Sequence, residues 1–172
     1  RRYPDGMPAC VRAMNDKAAA LCMSTARFVE PTGLSSLNVA SPEDLAKLVL
    51  AASGNPQVRD YSTAAGHTVY VNRQRLDYRN TNLLIGNPSW HVSVQKTGYI
   101  SEAGRCLVMQ AAIEGRQVVI VLLNSSGTPI AGFTKNDCTT IAVDSTKQAV
   151  TWTGGNIGAL ASKPVMEGKA VL

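Results

Sequence analysis

The sequence has few aromatic residues, no long hydrophobic run and no cluster of basic residues. Aromatic residues make up 5% of the 172 residues, and the longest purely aliphatic run covers only residues 118–123. That run is far too short to cross a bilayer, so we expect no membrane span. Without basic clusters or aromatic platforms, we also expect no nucleic-acid binding. No charged-then-apolar leader opens the sequence, so we expect no signal peptide within this chain.

Spacings typical of metal sites are also absent. The four cysteines form no C-x-x-C pair, and the two histidines lie far apart in the sequence. Zinc sites usually bring two ligands close together in sequence, so we expect no metal site and no cofactor. Buried free thiols are favoured over a disulfide, and the histidines are interpreted as surface or packing residues. These residues are Cys10, Cys22, Cys106, Cys138, His67 and His91.

The composition is that of a folded domain with a mild positive charge. Apolar residues make up 45% of the chain and charged residues 17%, with a formal net charge of +5. This apolar fraction is sufficient for a hydrophobic core. The charge fits attraction to anionic small groups or cell-wall polymers.

The first third of the sequence predicts helices. Apolar residues recur at spacings of three and four over residues 7–22, which predicts an amphipathic helix. Ser41 as N-cap and Pro42 at the first position predict a second helix, which Gly54 ends. Residues 55–61 are expected to add one further helical turn.

From residue 68 the period changes to two, which indicates strands. Extended segments are expected at 68–71 and 75–85, around a turn at Asn72-Arg73. Short glycine-bearing loops join the next three strands, so we predict a three-stranded antiparallel meander and an α+β fold. The run 118–123 is apolar on both faces, as in a central strand. The three strands are expected at 92–100, 105–113 and 117–123.

The character of the sequence shifts after Gly127. Residues 1–128 hold ten arginines, whereas residues 129–172 hold none and are rich in threonine. We therefore expect a domain boundary near Thr128 and a β-like tail over 129–172, a shift that a splice between unrelated sequences would explain. Short β-like pieces are expected at 140–143, 149–152 and 164–165.

Lys96-Thr97-Gly98 is the segment most suggestive of a binding site. Strand alternation places Lys96 and Gly98 on one face and Thr97 on the other. The lysine offers a positive charge, and the missing side chain of Gly98 lets an extended ligand lie against the strand. Together these residues suit a substrate that ends in a carboxylate. By itself the tripeptide is weak evidence, because an ordinary edge-strand lysine is the commoner explanation.

The surrounding residues resemble the D-alanyl-D-alanine carboxypeptidases and endopeptidases that trim bacterial peptidoglycan, in which K-T-G is one signature. The resemblance covers about residues 2–127. It rests on MNDKA at 14–18, RFVEPTGLS at 27–35, NVASPEDLA at 38–46, YRNTN at 78–82, VQKTGY at 94–99 and AGRCLV at 103–108.

This resemblance implies a part of the penicillin-binding/β-lactamase-like transpeptidase fold and a periplasmic, serine-type hydrolase. It implies that Lys96 and Thr97 hold the terminal carboxylate of a peptidoglycan stem peptide or of a β-lactam, with Gly98 aligning the peptide. Asn80 and Asn82 are expected to line or support the cleft.

The sequence departs from the family in its missing nucleophile. The family's S-x-x-K and S-x-N elements do not stand where they are expected, so we expect no catalytic residue within this chain and a very poor peptidase. Ser93 and Lys96 spell S-x-x-K, but strand alternation would point them to opposite faces. Ser36 and Asn38 spell S-x-N, but they belong to the loop after Gly33. The family's closing amphipathic helix is not visible in the tail either.

Two further hypotheses stay open. The chain is a non-catalytic truncated or chimeric protein that forms a homo-oligomer through an exposed sheet edge, unless the tail strands cover that edge. Alternatively, the scaffold has an unrelated activity that uses Lys96, Tyr99 or a cysteine, although no sequence feature favours this specifically.

Overall fold

The computed structural model describes residues 3–113, 116–125, 140–144 and 149–152. Three helices precede two antiparallel sheets in this part of the chain, which confirms the α+β class. Among the described residues, the helices lack the combination of length and apolar character that a membrane span requires.

Helix α1 spans Gly6–Ala20 and ends two residues before the predicted limit. Leu21 donates its N–H to the carbonyls of Lys17 and Ala18. Cys22 then adopts a positive φ of 55°, a conformation that a helix does not continue through. The chain therefore turns away before the sequence periodicity stops.

Helix α2 spans Pro42–Ser53 and begins as predicted, with the Ser41 side chain accepting a hydrogen bond from the Asp44 N–H at 3.3 Å. Helix α3 spans Pro56–Thr63, so the expected single turn is a full helix. Its N-cap is Asn55, whose side chain accepts from the N–H groups of Gln57 and Val58.

A buried carboxylate fixes the start of α2 to the preceding loop. Asp44 is 2% exposed and accepts hydrogen bonds from the N–H and the hydroxyl of Thr25, at 2.7 and 2.6 Å. It also pairs with the Lys47 ammonium at 2.8 Å. Burial, the largest effect, raises the pKa of Asp44, but the bonds from Lys47 and Thr25 together outweigh it and hold that pKa below its ordinary value.

Strands β1 (Gly66–Val71) and β2 (Gln74–Arg79) form a separate two-stranded sheet, which we call the arm. Asn72 and Arg73 form its turn with φ values of 49° and 67°, as in a type I′ hairpin turn. The turn was predicted correctly, but the extended segment predicted through residue 85 is wrong beyond Arg79. There the chain turns, and Ile85 donates its N–H to the Asn82 carbonyl at 3.1 Å.

The second sheet contains the predicted meander and extends beyond it. Strands β3 (His91–Ile100), β4 (Gly104–Ile113) and β5 (Arg116–Ser125) pair antiparallel in chain order. Strand β6 (Thr140–Asp144) then pairs with β5, and β7 (Ala149–Trp152) pairs with β6. The edge of β5 is therefore covered by a strand of the tail. The predicted β piece at 164–165 and the boundary near Thr128 lie outside the described residues.

The core lies on both faces of β5, as the apolar run predicted. On one face, Val119 and Val121 pack with Ala46 and Val49 of α2. On the other face, Ile120 is fully buried in a second cluster. That cluster contains Leu107, Met109, Val118, Ile120 and Leu122, with Leu84, Trp90 and Val92 packed against it.

The described cysteines carry free thiols, but none of them is buried. Cys22 is exposed, and Cys10 and Cys106 are partly exposed. The predicted burial is therefore wrong for these three residues, and Cys138 lies outside the described residues.

Candidate substrate-binding site

Strand β3 has a free edge among the described residues, because β4 is its only strand partner there. Gln95 donates its backbone N–H away from β4, to the Ser62 hydroxyl of α3 at 3.3 Å. Backbone groups of alternate residues in an antiparallel strand point to the same edge. The N–H and C=O of Thr97 and of Tyr99 therefore face the free edge as well.

Lys96 and Gly98 lie on one face of β3 and Thr97 lies on the other. Lys96 is opposite Val108, whereas Thr97 is opposite Leu107, in agreement with simple alternation. The Lys96 side chain is exposed, and its ammonium contacts the Thr97 carbonyl at the free edge. A Cβ atom at Gly98 would meet nothing within 4 Å, so the strand has open space beside it.

The Thr97 hydroxyl is held by a second threonine. The Oγ1 atoms of Thr81 and Thr97 are 2.7 Å apart, within hydrogen-bonding distance, and either hydroxyl can donate. Thr81 follows the arm and its side chain is exposed. Sequence reasoning missed this contact, for which the position of Thr81 between Asn80 and Asn82 was the only signal.

The Asn80 side chain links β3 to α3, whereas the side-chain hydrogen bond of Asn82 is local to the loop after the arm. The Asn80 amide donates to the carbonyls of Ser62 and Ala64, at 3.0 and 2.9 Å, and its Oδ1 accepts from Gln95 Nε2 at 3.1 Å. Asn82 is 1% exposed, and its Oδ1 accepts the Leu84 N–H at 3.0 Å. In the described part of the chain, the Nδ2 of Asn82 has no hydrogen-bond partner.

An apolar groove adjoins Lys96 on the face that α2 and α3 cover. Its volume is about 510 Å³, and hydrophobic side chains form most of its wall. The ammonium therefore stands at the border between this groove and the free edge of β3. The lining includes Leu45, Leu48, Val49, Val58, Val94 and Val108.

The two sequence look-alikes of catalytic elements are engaged in structural contacts. A register shift between Val92 and Val94 places a β-bulge at Ser93, so strict alternation does not decide its face. The Ser93 hydroxyl donates to the Gln110 carbonyl and is also 3.2 Å from Gln110 Oε1. Among the described contacts, Ser93 and Lys96 share no hydrogen bond.

Asn38, the last residue of the other look-alike, holds the loop that carries Glu30. Its Oδ1 accepts the Val29 N–H at 2.8 Å, and its amide donates to the Glu30 carboxylate at 2.6 Å. The hydroxyl of Thr32, followed by the N–H groups of the same loop, lowers the pKa of Glu30 to about 2, despite an opposing contribution from burial. Glu30 is therefore a structural carboxylate that organises its own loop.

Comparison with known proteins places this site in a family context. A D-alanyl-D-alanine endopeptidase from Pseudomonas aeruginosa is 43% identical over 129 residues, which are 74% of this chain and 42% of that protein. The endopeptidase from Escherichia coli is 39% identical over 127 residues, 73% of this chain and 41% of that protein. The chain thus spans about two fifths of the length of the curated relatives it matches.

Solved structures agree with this relationship. A D-alanyl-D-alanine carboxypeptidase from Mycobacterium tuberculosis has a TM-score of 0.62 at 26% identity, covering 69% of this chain and 46% of that one. A Streptomyces DD-transpeptidase has a TM-score of 0.60 at 27% identity, covering 67% of this chain and 47% of that one. The family model for D-alanyl-D-alanine carboxypeptidases matches residues 2–127. The chain belongs to the D-alanyl-D-alanine carboxypeptidase family.

Proposed function

We propose that Lys96-Thr97-Gly98 binds the carboxylate end of an extended peptide, namely the D-alanyl-D-alanine end of a peptidoglycan stem peptide, or a β-lactam. The observation that carries this proposal is the free edge of β3, where the Thr97 backbone lies between an exposed ammonium and an open glycine. An extended peptide adds to such an edge through main-chain hydrogen bonds.

Each residue has a distinct part in this binding. The N–H and C=O groups of Thr97 and Tyr99 pair with the peptide backbone, and the open space at Gly98 lets that backbone approach. The Lys96 ammonium, which reaches the free edge at the Thr97 carbonyl, and the Thr97 hydroxyl bind the terminal carboxylate from opposite faces of the strand. Charge-assisted hydrogen bonds are stronger than neutral ones. Thr81 orients the Thr97 hydroxyl, Asn80 supports the strand, and Asn82 supports the loop that carries Thr81.

We propose that this chain by itself binds such a peptide without cleaving it efficiently. Acyl transfer in this family requires a serine activated by a nearby lysine. The serine nearest to Lys96 in sequence, Ser93, has its hydroxyl bonded to Gln110. Loss of a nucleophile costs several orders of magnitude in rate.

We also propose that residues 129–172 form a tail distinct from the peptidase segment, with the boundary near Thr128. The family match ends at residue 127, while β6 and β7 lie beyond it. A natural or engineered fusion would account for this arrangement. The family relationship supports a periplasmic location.

The alternative of a non-catalytic homo-oligomer requires an exposed sheet edge. Because β6 pairs with β5, the edge strands of this sheet among the described residues are β3 and β7, and we propose self-association through β3. A dimer formed there would compete with peptide for the same backbone groups. Light scattering with and without peptide separates the two proposals, since a dimer that persists at saturating peptide is incompatible with peptide binding at this edge.

The binding proposal is tested by titrating the chain with diacetyl-L-lysyl-D-alanyl-D-alanine and following backbone amide signals by NMR. We expect the signals of Thr97, Gly98 and Tyr99 to shift, and Lys96→Ala to weaken binding by roughly tenfold to a hundredfold, the usual effect of losing a charged hydrogen bond. Lys17→Ala, at an exposed lysine of α1, is the matched control.

Unchanged affinity in Lys96→Ala, or shifts confined to residues outside β3, would refute the binding proposal. Labelled penicillin tests the proposed lack of catalysis separately. A stable covalent adduct on the chain would show that a nucleophile is present after all.

A further inference from the structure

The arm projects from the fold with almost no cover. Among the residues of β1 and β2, only Val69 is even partly buried. Six residues of strand extend over about 20 Å at the usual rise of about 3.3 Å per residue. An isolated two-stranded hairpin is only marginally stable in water. The arm therefore depends on its attachment to the rest of the fold for its stability.

The exposed side chains of the arm include several that are usually buried. Tyr70 is 72% exposed, Tyr78 is 59% exposed and Val71 is 50% exposed. Cross-strand pairing places Tyr78 opposite His67 on one face and Tyr70 opposite Arg75 on the other. A tyrosine ring offers both an apolar face, which stacks on the apolar face of a sugar ring, and a hydroxyl that hydrogen-bonds.

The arm is also positively charged. It carries Arg73, Arg75 and Arg79 against the single carboxylate of Asp77, which pairs with Arg75 at 3.0 Å. Arg73 and Arg79 are exposed, and neither forms a salt bridge among the described residues. The charge complements an anionic polymer.

The base of the arm is fastened beside the candidate substrate-binding site. Asn80 follows β2 directly, donates its N–H to Ala65 at 2.9 Å and accepts from Gln95 of β3. The next residue, Thr81, contacts the Thr97 hydroxyl. A polymer whose end lies at Lys96-Thr97-Gly98 therefore has the base of the arm as its neighbour.

We propose that the arm is a second binding site for peptidoglycan, which recognises the glycan and the flanking stem-peptide carboxylates beyond the peptide end bound at β3. Tyr70 on one face of the arm and Tyr78 on the other stack on sugar rings of separate glycan strands, and Arg73 and Arg79 pair with carboxylates. This inference rests on the proposed function, because it assigns the remainder of the same substrate to the arm.

The test compares a long probe with a short one. Co-sedimentation with isolated peptidoglycan sacculi measures binding of the whole polymer, whereas diacetyl-L-lysyl-D-alanyl-D-alanine spans only about 10 Å and cannot follow the arm. Two double variants, Tyr70→Ser with Tyr78→Ser and Arg73→Glu with Arg79→Glu, are each expected to weaken sacculus binding by roughly tenfold or more. Both are expected to leave the affinity for the tripeptide unchanged.

Matched controls lie outside the arm. Leu34→Ser replaces a side chain that is 72% exposed, the same fraction as Tyr70, and Arg12→Glu reverses a charge on α1. Neither control is expected to change sacculus binding. Tyr70→Phe with Tyr78→Phe, and Arg73→Lys with Arg79→Lys, are expected to retain most of it, which separates lost recognition from a misfolded arm.

Several results would overturn the proposal. These are sacculus binding that survives both double variants, arm-dependent binding to anionic phosphatidylglycerol vesicles without binding to sacculi, or arm-dependent self-association without binding to sacculi. Loss of tripeptide binding in Lys96→Ala tests the site on β3 independently. If that variant has no effect while the arm variants reduce sacculus binding, the proposed function fails and arm binding stands.

Discussion

The arm and the meander of β3, β4 and β5 are both antiparallel hairpin structures, yet they differ in what covers them. Ile120 and Met109 in the meander are 0% exposed, whereas Tyr70 and Tyr78 in the arm are 72% and 59% exposed. The local pairing is the same in both regions. The difference shows that pairing alone does not make a hydrophobic core. The meander belongs to the core because other elements cover its side chains, whereas the side chains of the arm remain exposed to solvent.

The largest expected effect is the loss of stability when a buried side chain of the meander is shortened, compared with an exposed side chain of the arm. Ile120→Ala is expected to lower the free energy of unfolding by about 2–5 kcal/mol, because it removes buried contacts and leaves a cavity. Tyr70→Ala in the arm is expected to change it by no more than about 0.5 kcal/mol. Urea denaturation measures both values, and similar losses for the two variants would contradict the distinction between core and surface.

An intermediate effect is expected at the residue that joins the two regions. Asn80→Ala removes hydrogen bonds to Ser62, Ala64 and Gln95. We expect a loss of about 1–3 kcal/mol in the free energy of unfolding, because partly buried partners lose their hydrogen bonds. Amide hydrogen exchange is expected to accelerate in the arm more than in β4 and β5.

Asn55→Ala is the control for this prediction, since Asn55 caps α3 outside both regions. Equal acceleration of exchange in the arm and in β5 would mean that Asn80 stabilises the whole fold and not the junction.

The smallest expected effect concerns a loop that is held neither by a core nor by strand pairing. The Glu30 carboxylate accepts the N–H groups of Gly33, Leu34 and Ser35. Its pKa is lowered to about 2 from an ordinary value of 4.5. The carboxylate therefore stabilises the folded loop fully above pH 4.5, and this contribution is lost as the pH falls towards 2.

Amide exchange at Gly33 and Leu34 checks this pH dependence. It is expected to accelerate on acidification relative to the intrinsic exchange rate, while protection in the meander changes less. Glu30→Gln is expected to remove the pH dependence of the loop between pH 4.5 and 2. If amide exchange in the loop of this variant still depends on pH across this range, the titrating group is not Glu30.

Features set by local chemistry were predictable from the sequence. The Ser41 and Pro42 start of α2, the turn at Asn72-Arg73 and the meander depend on neighbouring residues and on short loops. The resemblance in the residues around K-T-G was confirmed by the family match. The alternation of Lys96 and Thr97 across β3 also followed from strand periodicity.

Features set by distant partners were not predictable in this way. Strand β2 stops at Arg79 because the Asn80 side chain bonds to backbone groups of α3 and the segment that follows it. The bulge at Ser93 depends on the register with β4. The contact between Thr81 and Thr97 requires the loop after the arm to lie against β3, which periodicity does not reveal.

The short connections of the meander also have a consequence for the order of folding. Only a few residues separate β3 from β4 and β4 from β5, so these pairings close small loops at low entropic cost and are expected to form early. The contacts of Asn80 with Gln95 and of Thr81 with Thr97 span 15 and 16 residues and need β3 already in place. The proposed peptide-binding edge is therefore a late product of folding, because the sheet forms before the contacts of Asn80 and Thr81 with β3.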